Sequence, residues 1–247
     1  MVNVIVLIKQ MLDLEQIRSD PGTGKPIKNG VPTKLETLSE NSIEAAVTLK
    51  EKYGGKVTAI LFGNEQSSAS MKRAYAMGVD DGYIITGYKE SNYLFTALVL
   101  AEKIKELPHD VIILGNQSAD TFSGFLSGQL SAILGEPLLG NSVSIDIDGD
   151  IVKVKRNLEN KSLIISAKKP AIVSVGQEIN EPRLPPVMQI MAAGRKPIHT
   201  EVPKIQPSGS VQILSEISPK SDRKKIIFED VDKGVSEVGK ILKEATR

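Results

Sequence analysis

The stretch Asp110-Val-Ile-Ile-Leu-Gly-Asn-Gln-Ser-Ala-Asp-Thr-Phe-Ser-Gly-Phe-Leu-Ser-Gly-Gln129 decides how the chain is read. Its apolar run, residues 111–114, leaves no face for water, which marks a strand buried on both sides. Gly115 ends the run and a polar loop of small residues follows. A helix is then predicted from Thr121 or Ser123 to Leu134, closed by Gly135 and Pro137. In an open parallel sheet, ligands sit at the carboxyl ends of strands, which is where this loop lies. Free amides and the positive dipole end at the helix start suit a phosphate, with the hydroxyls of Ser118, Ser123 and Ser127 as further donors. Ordinary helix capping accounts for the same residues, and the sequence pattern leaves both readings open.

The same unit recurs towards the N-terminus. Residues 2–8 form another buried-strand run, and a helix is predicted over 40–52. Ser39 is its cap, Ile43, Ala46, Val47 and Lys50 recur at helical spacing, and Gly54-Gly55 stops it. A strand over 56–62, a helix over 65–77 closed by Gly78, a short strand over 82–85 and a helix over 92–107 ended by Pro108 complete the pattern. Alternation of this kind predicts an α/β fold, a right-handed and mostly parallel sheet with helices on both faces. Residues 19–35, rich in Gly, Pro, Lys and Asn, interrupt it as a loop or hairpin.

Towards the C-terminus the period changes from helical to two. Residues 142–146, 151–155 and 163–165 read as hairpin strands with Asp148-Gly149 as the first turn, and 171–175 returns to a buried strand. Of the 13 prolines, seven lie between Pro182 and Pro219, which argues against a long helix or strand there. The globular body is therefore expected to end near Gly176 and to pass into an extended arm. The last segment, 231–245, places Val235, Val238, Ile241 and Leu242 on one helical face, an apolar stripe suited to a second subunit.

Composition excludes more chemistry than it proposes. The 31 Lys and Arg nearly balance the 30 Asp and Glu, giving a net charge of +1 and no clustered basic excess for nucleic acid. Cysteine is absent, which rules out disulfides, thiol nucleophiles, Cys-based zinc sites and thiolate-held iron–sulfur clusters. His109 and His199 are the two histidines, and neither has an evident triad partner. Pro21-Gly-Thr-Gly-Lys-Pro26 fails as a phosphate loop, because Ser19 stands where the first Gly is required and Lys25 precedes Pro26. Asp146, Asp148 and Asp150 fail as a calcium loop, since Gly149 is misplaced and the flanks are strands. No apolar run approaches the roughly 20 residues that span a bilayer, and residues 2–8 lack a basic leader, so a cytoplasmic protein is expected.

Taken in order, several motifs resemble the β subunit of electron transfer flavoproteins. Gly115, Gln117-Ser-Ala-Asp120, Leu134-Gly135 and Pro137 follow that family's spacing. Glu44-Ala-Ala-Val-Thr-Leu-Lys-Glu-Lys52 and Arg73-Ala-Tyr-Ala-Met-Gly-Val-Asp80 precede them, and Asn180-Glu-Pro-Arg183, Ile190-Met191 and Lys196-Pro197 come after. The resemblance implies an adenine-nucleotide α-hydrolase-like fold over residues 1–180. Residues 181–247 would be a proline-rich recognition loop and an arm packing on a larger α subunit that carries the redox-active FAD. By the same resemblance the β chain holds a structural AMP against Leu7, Ile8, Lys9, Ser39, Phe62 and Gly63, and against Gln117, Ser118, Ala119 and Asp120 of the loop. Ser123, Gly124, Phe125, Leu126 and Ser127 would meet the phosphate. The arm residues Arg183, Val187, Met188, Ile190 and Met191 would anchor a partner dehydrogenase of the acyl-CoA dehydrogenase type, as in fatty acid oxidation, or else pack on the α subunit. The final acceptor would be a quinone oxidoreductase. As an electron carrier rather than an enzyme, the chain needs no catalytic acid or base.

The departures from the family are specific. Its acidic run followed by Asn-Gln-Thr-Gly-Gln is replaced by Asp120-Thr-Phe-Ser-Gly-Phe-Leu-Ser-Gly, and its Asn-Pro-Phe by Glu36-Thr-Leu38. An acidic hairpin position falls on Leu163. These changes leave open a bifurcating-type subunit that holds a second FAD in place of AMP and exchanges electrons with NADH. A stand-alone nucleotide-binding regulator of the stress-protein type is the alternative from another class.

Overall fold

In a computed structural model, which describes residues 1–88, 93–205, 213–218 and 225–246, the apolar run at the N-terminus is β1 (Val2–Ile8). In chain order there follow β2 (Gln10–Leu12), β3 (Arg18–Ser19), β4 (Pro26–Ile27), β5 (Thr33–Leu35), α1 (Thr37–Tyr53), β6 (Gly55–Phe62), α2 (Ser68–Ala76) and β7 (Asp81–Ile85). Next come α3 (Tyr93–Ile104), β8 (Val111–Gly115), α4 (Leu126–Leu134), β9 (Leu138–Asp148), β10 (Ile151–Asn157), β11 (Ser162–Lys168) and β12 (Ala171–Val175). The chain closes with α5 (Val187–Ala193), β13 (His199–Glu201) and α6 (Val231–Ala245). Two compact units result, residues 1–18 with 28–214, and residues 19–27 with 215–247.

The first unit is built on a nine-stranded sheet in the order β11-β10-β9-β12-β8-β1-β6-β7-β13. β9, β10 and β11 form an antiparallel meander, and every other pairing is parallel. The expected α/β architecture is therefore present, with the hairpin region as one wing. Continuous apolar runs fit it because both faces are covered. Val2, Val4, Val6 and Ile8 join one core with Ile43, Ala46 and Val47 of α1, while Ile5 and Leu7 join the other with α3 and Leu130 of α4. Each such side chain contributes roughly 1.5–3 kcal/mol on full burial.

Strand order reverses beside β1. The chain runs from β1 outward to β6 and β7, then returns to lay β8 on the other flank of β1. The carboxyl ends of β1 and β8 thus lead into separate loops, the switch point at whose crevice open α/β sheets take ligands.

Element boundaries differ from expectation at two informative places. Helix α1 begins at Thr37 and is capped by Glu36, whose Oε2 accepts from the Ser39 backbone N–H at 2.8 Å. A carboxylate at the positive end of the helix dipole is a better cap than the Ser39 hydroxyl, which is used elsewhere. Helix α4 begins at Leu126 and not at Thr121 or Ser123, because Phe122 at φ 49° and Gly124 at φ 66° hold left-handed conformations that no right-handed helix accommodates. Its end is as predicted, with Gly135 left-handed at φ 71° and its N–H on the Ser131 carbonyl. The helix expected over 92–107 is described from Tyr93 to Ile104, and Asn92 lies outside the described residues.

The turn at 148–149 joins β9 to β10 with Gly149 at φ 57°. Within the second unit, Asp20 Oδ1 accepts from the Gly22 and Thr23 N–H groups, so the rejected phosphate loop is an aspartate-closed turn. Among the described residues beyond Gly176, irregular stretches separate the remaining elements, and two of these pack against the rest of the first unit. Helix α5 packs on α2, burying Ala193, and β13 extends the sheet beside β7. Residues 206–212 and 219–224, including Pro207 and Pro219, lie outside the described residues.

Candidate functional site

At the strand-order reversal, four of the expected site residues converge. Lys9 follows β1 directly. Its backbone N–H donates to Ser39 Oγ at 3.0 Å, and its ammonium reaches across the crevice to Ser118 Oγ at 3.2 Å and Asp120 Oδ1 at 2.7 Å. Ser118 Oγ shares a proton with Thr121 Oγ1 at 2.8 Å, and its carbonyl accepts from the Phe122 N–H at 2.8 Å, which folds the loop back on itself. The Ser39 hydroxyl therefore ties the first turn of α1 to the end of β1 instead of capping the helix.

The floor of the crevice is backbone. A Cβ on Gly115 would stand 2.8 Å from Leu38 Cβ and 3.0 Å from the Gln117 carbonyl, so glycine alone permits α1 and the β8 loop to approach this closely. Leu7 and Ile8 turn their side chains into opposite cores, at 5% exposure each, which leaves only their main chain to a ligand. Ser127 is buried in the first turn of α4 and Leu126 packs against the core, whereas Gln117, Gly124 and Phe125 are exposed and Ala119 and Ser123 are half-buried. Phe62 and Gly63 lie one strand over, at the end of β6. The Phe62 ring packs edge-on against Tyr88 and Phe95, and a Cβ on Gly63 would collide with Ser67 Oγ at 2.5 Å.

Residues that sequence reasoning passed over complete the site. Glu36 is 2% exposed; Oε2 accepts from Ser39 while Oε1 has no hydrogen-bond partner among the described residues. Asn116 donates through Nδ2 to Asn141 Oδ1 at 3.1 Å, and its buried Oδ1 likewise has no partner among the described residues. Phe122 joins the expected Phe125 in projecting from the loop, 65% and 59% exposed, with the Tyr93 ring 6.1 Å from Phe125. The replacement of the family's Asn-Pro-Phe by Glu36-Thr-Leu38 was the available signal for Glu36.

The electron transfer flavoprotein domain model matches residues 24–205. Electron transfer flavoprotein subunit beta of Thermoanaerobacterium thermosaccharolyticum is 33% identical over 78% of this chain and 75% of its own length. The Bacillus subtilis protein of the same name is 31% identical over 79% and 77%. The caffeyl-CoA reductase-Etf complex subunit CarD of Acetobacterium woodii is 29% identical over 79% and 76%. The chain belongs to the electron transfer flavoprotein β-subunit family. A stand-alone stress-type regulator gives way to that membership, since the family match runs through the arm to residue 205.

In this β-subunit chain the Asn180-Glu-Pro-Arg183 motif is a tether. Asn41 Nδ2 donates to the Asn180 carbonyl at 2.9 Å and Asn180 Nδ2 returns a bond to the Asn41 carbonyl at 3.1 Å. The Arg183 guanidinium forks over two carboxylates of α1, with Nε and Nη2 on Glu44 at 2.7 and 2.9 Å and Nη1 and Nη2 on Glu51 at 2.6 and 3.0 Å. Burial alone would raise the Glu44 pKa, but the Arg183 hydrogen bonds and charge outweigh it and hold the carboxyl below its ordinary value. Arg183 likewise holds the Glu51 carboxyl low, and the two carboxylates push Arg183 up in turn. Beyond the tether, Val187, Met188, Ile190 and Met191 project from α5 at 71%, 77%, 48% and 60% exposure.

The histidines serve the scaffold. His109 bridges the Leu107 carbonyl and Glu136, both at 2.9 Å, and His199 stacks on Tyr83 with Nε2 3.1 Å from Asp81. Asp146 is engaged by Lys52 and Tyr53, whose hydrogen bonds lower it to about 2, and Asp148 by Lys153. Among the described residues no group of three or more carboxylates and histidines is placed to hold a metal ion, and no helix is long and apolar enough to cross a membrane.

Proposed function

We propose that this chain is the β subunit of an electron transfer flavoprotein heterodimer, with AMP in the crevice between β1 and β8 and FAD held mainly by the α subunit. The observation that carries this is the convergence of Lys9, Ser39, Ser118 and Asp120 where strand order reverses. A cation and hydroxyls gathered on the loop that leads from β8 to α4 suit a phosphate at the strand-order reversal. In such a heterodimer FAD takes up and releases the electrons, while this chain's residues hold the nucleotide and present docking surface. The exposed apolar face of α5 supports the docking role: an aliphatic anchor beside the cationic Arg195 and Lys196 suits a dehydrogenase of the acyl-CoA dehydrogenase type. A quinone oxidoreductase is the acceptor in this reading.

A second reading is favoured by Phe122 and Phe125. Exposed aromatic faces in place of acidic and amide side chains suit a flat ring system, and so a second FAD in this site with electron exchange to NADH. Co-expression with the α subunit and chromatography of the released nucleotides separates the two. AMP and FAD in equal amounts support the first, and two FAD without AMP the second. A colourless chain that retains neither nucleotide and forms no heterodimer would refute both.

A further inference from the structure

Helix α5 has little to hold it in place by itself. Of its seven residues Ala193 alone is buried, whereas Val187, Met188, Ile190 and Met191 project outward. A helix this short is marginal on its own, so its orientation has to come from the contacts at its ends. The Arg183 tether fixes the approach to its first turn. The other end is fixed by Tyr75.

Tyr75 lies in the last turn of α2 and is 4% exposed. A buried tyrosine hydroxyl needs a partner, and here the partner comes from the arm. The hydroxyl donates to the Pro197 carbonyl at 2.7 Å, and the ring carries the Lys196 ammonium, 5.1 Å from its centroid. That ammonium also donates to the Val79 carbonyl at 2.9 Å, while the Lys196 N–H donates back to the Ala193 carbonyl at the end of α5. One side chain therefore grips two consecutive residues just beyond the helix. Room for the hydroxyl comes from β7, where a Cβ on Gly82 would stand 2.9 Å from it. Burial pushes the phenol up to about 12, so it remains a donor across the physiological range. We infer that Tyr75 is a positioning residue for docking, fixing the orientation in which α5 presents its apolar face to a partner dehydrogenase. This rests on the docking role proposed above. A partner that meets the face only in the clamped orientation has its affinity scaled by the clamped fraction of molecules.

The test compares the unmodified heterodimer with Tyr75→Phe, which removes the hydroxyl and keeps the ring. Loss of one neutral hydrogen bond predicts that amide exchange over residues 187–198 accelerates about 3- to 10-fold, while the amides of β1 exchange as before. With a purified acyl-CoA dehydrogenase as donor, the KM for the heterodimer should rise at least about twofold at unchanged kcat. The double substitution Val187→Asp with Met188→Asp is the control for docking itself. If that pair slows electron transfer and Tyr75→Phe leaves KM unchanged, the positioning role is wrong while the docking reading stands. If neither has an effect on electron transfer, the docking reading is wrong and the positioning role falls with it. If exchange over 187–198 is unchanged in Tyr75→Phe, the clamp itself is refuted. Lys196→Met breaks the same clamp from the arm side; it should accelerate that exchange likewise, and it decides the clamp if Tyr75→Phe does not assemble.

Discussion

Lys9 concentrates the site into one side chain. Its ammonium is held by Asp120 and Ser118 on the far wall, and its main chain by Ser39 on the near one. A phosphate entering the crevice competes with Asp120 for that cation, so Lys9→Ala should weaken AMP binding about tenfold while leaving the sheet intact, as measured by calorimetry and circular dichroism. Gly115→Ala tests the floor. Its methyl has to displace Leu38 and the Gln117 carbonyl, which predicts a loss of about 1–3 kcal/mol in denaturant unfolding together with weaker nucleotide retention. At this scale the sequence is partly legible. Family resemblance points to Lys9, Ser39, Ser118 and Asp120, and they do meet. It does not point to Glu36 or Asn116, because burial and an unfilled hydrogen-bonding valence arise only when segments far apart in the chain close on each other.

At the level of elements, the tether of the arm to α1 makes the sharpest prediction. Glu44 and Glu51 lie two helical turns apart on one face of α1, and one guanidinium spans both. Arg183→Ala strands a Glu44 side chain that is 11% exposed, at an expected cost of about 2–3 kcal/mol, discounted from the fully buried range because Arg183 itself is a third exposed. Arg183→Lys should not restore it, since an ammonium cannot fork over two carboxylates. The pH dependence has a definite sign. Both carboxyls titrate below their ordinary value of 4.5 when folded, so the tether is at full strength above that value and is lost as pH falls below it towards the depressed folded value. Limited proteolysis between residues 177 and 205 should accelerate over that acidic window in the unmodified protein, and at neutral pH in Arg183→Ala. Helix starts are the least legible feature, because a cap such as Glu36 and the left-handed Phe122 depend on backbone dihedrals that residue type does not reveal.

Across the whole molecule, the apolar face of α5 is anchored to the body at one end by Arg183 and at the other by β13, so its exposed side chains are presented by a fixed scaffold. The double substitution Val187→Asp with Met188→Asp should therefore slow electron transfer from an acyl-CoA dehydrogenase at least tenfold while leaving heterodimer formation and nucleotide content unchanged. Stopped-flow reduction of the flavin measures the first, and gel filtration with nucleotide analysis the second. The alternation of apolar runs with helical periods is enough to specify an α/β sheet covered on both faces, because a strand with no polar face has only that solution. Local composition likewise marks the hairpin wing and the proline-rich C-terminal stretch. Strand order is not legible, since parallel neighbours are chosen by which helices cover which face and not by contacts local in the chain. That order alone sets β8 against β1, and with it the meeting of Lys9 and Asp120 from which the site is made.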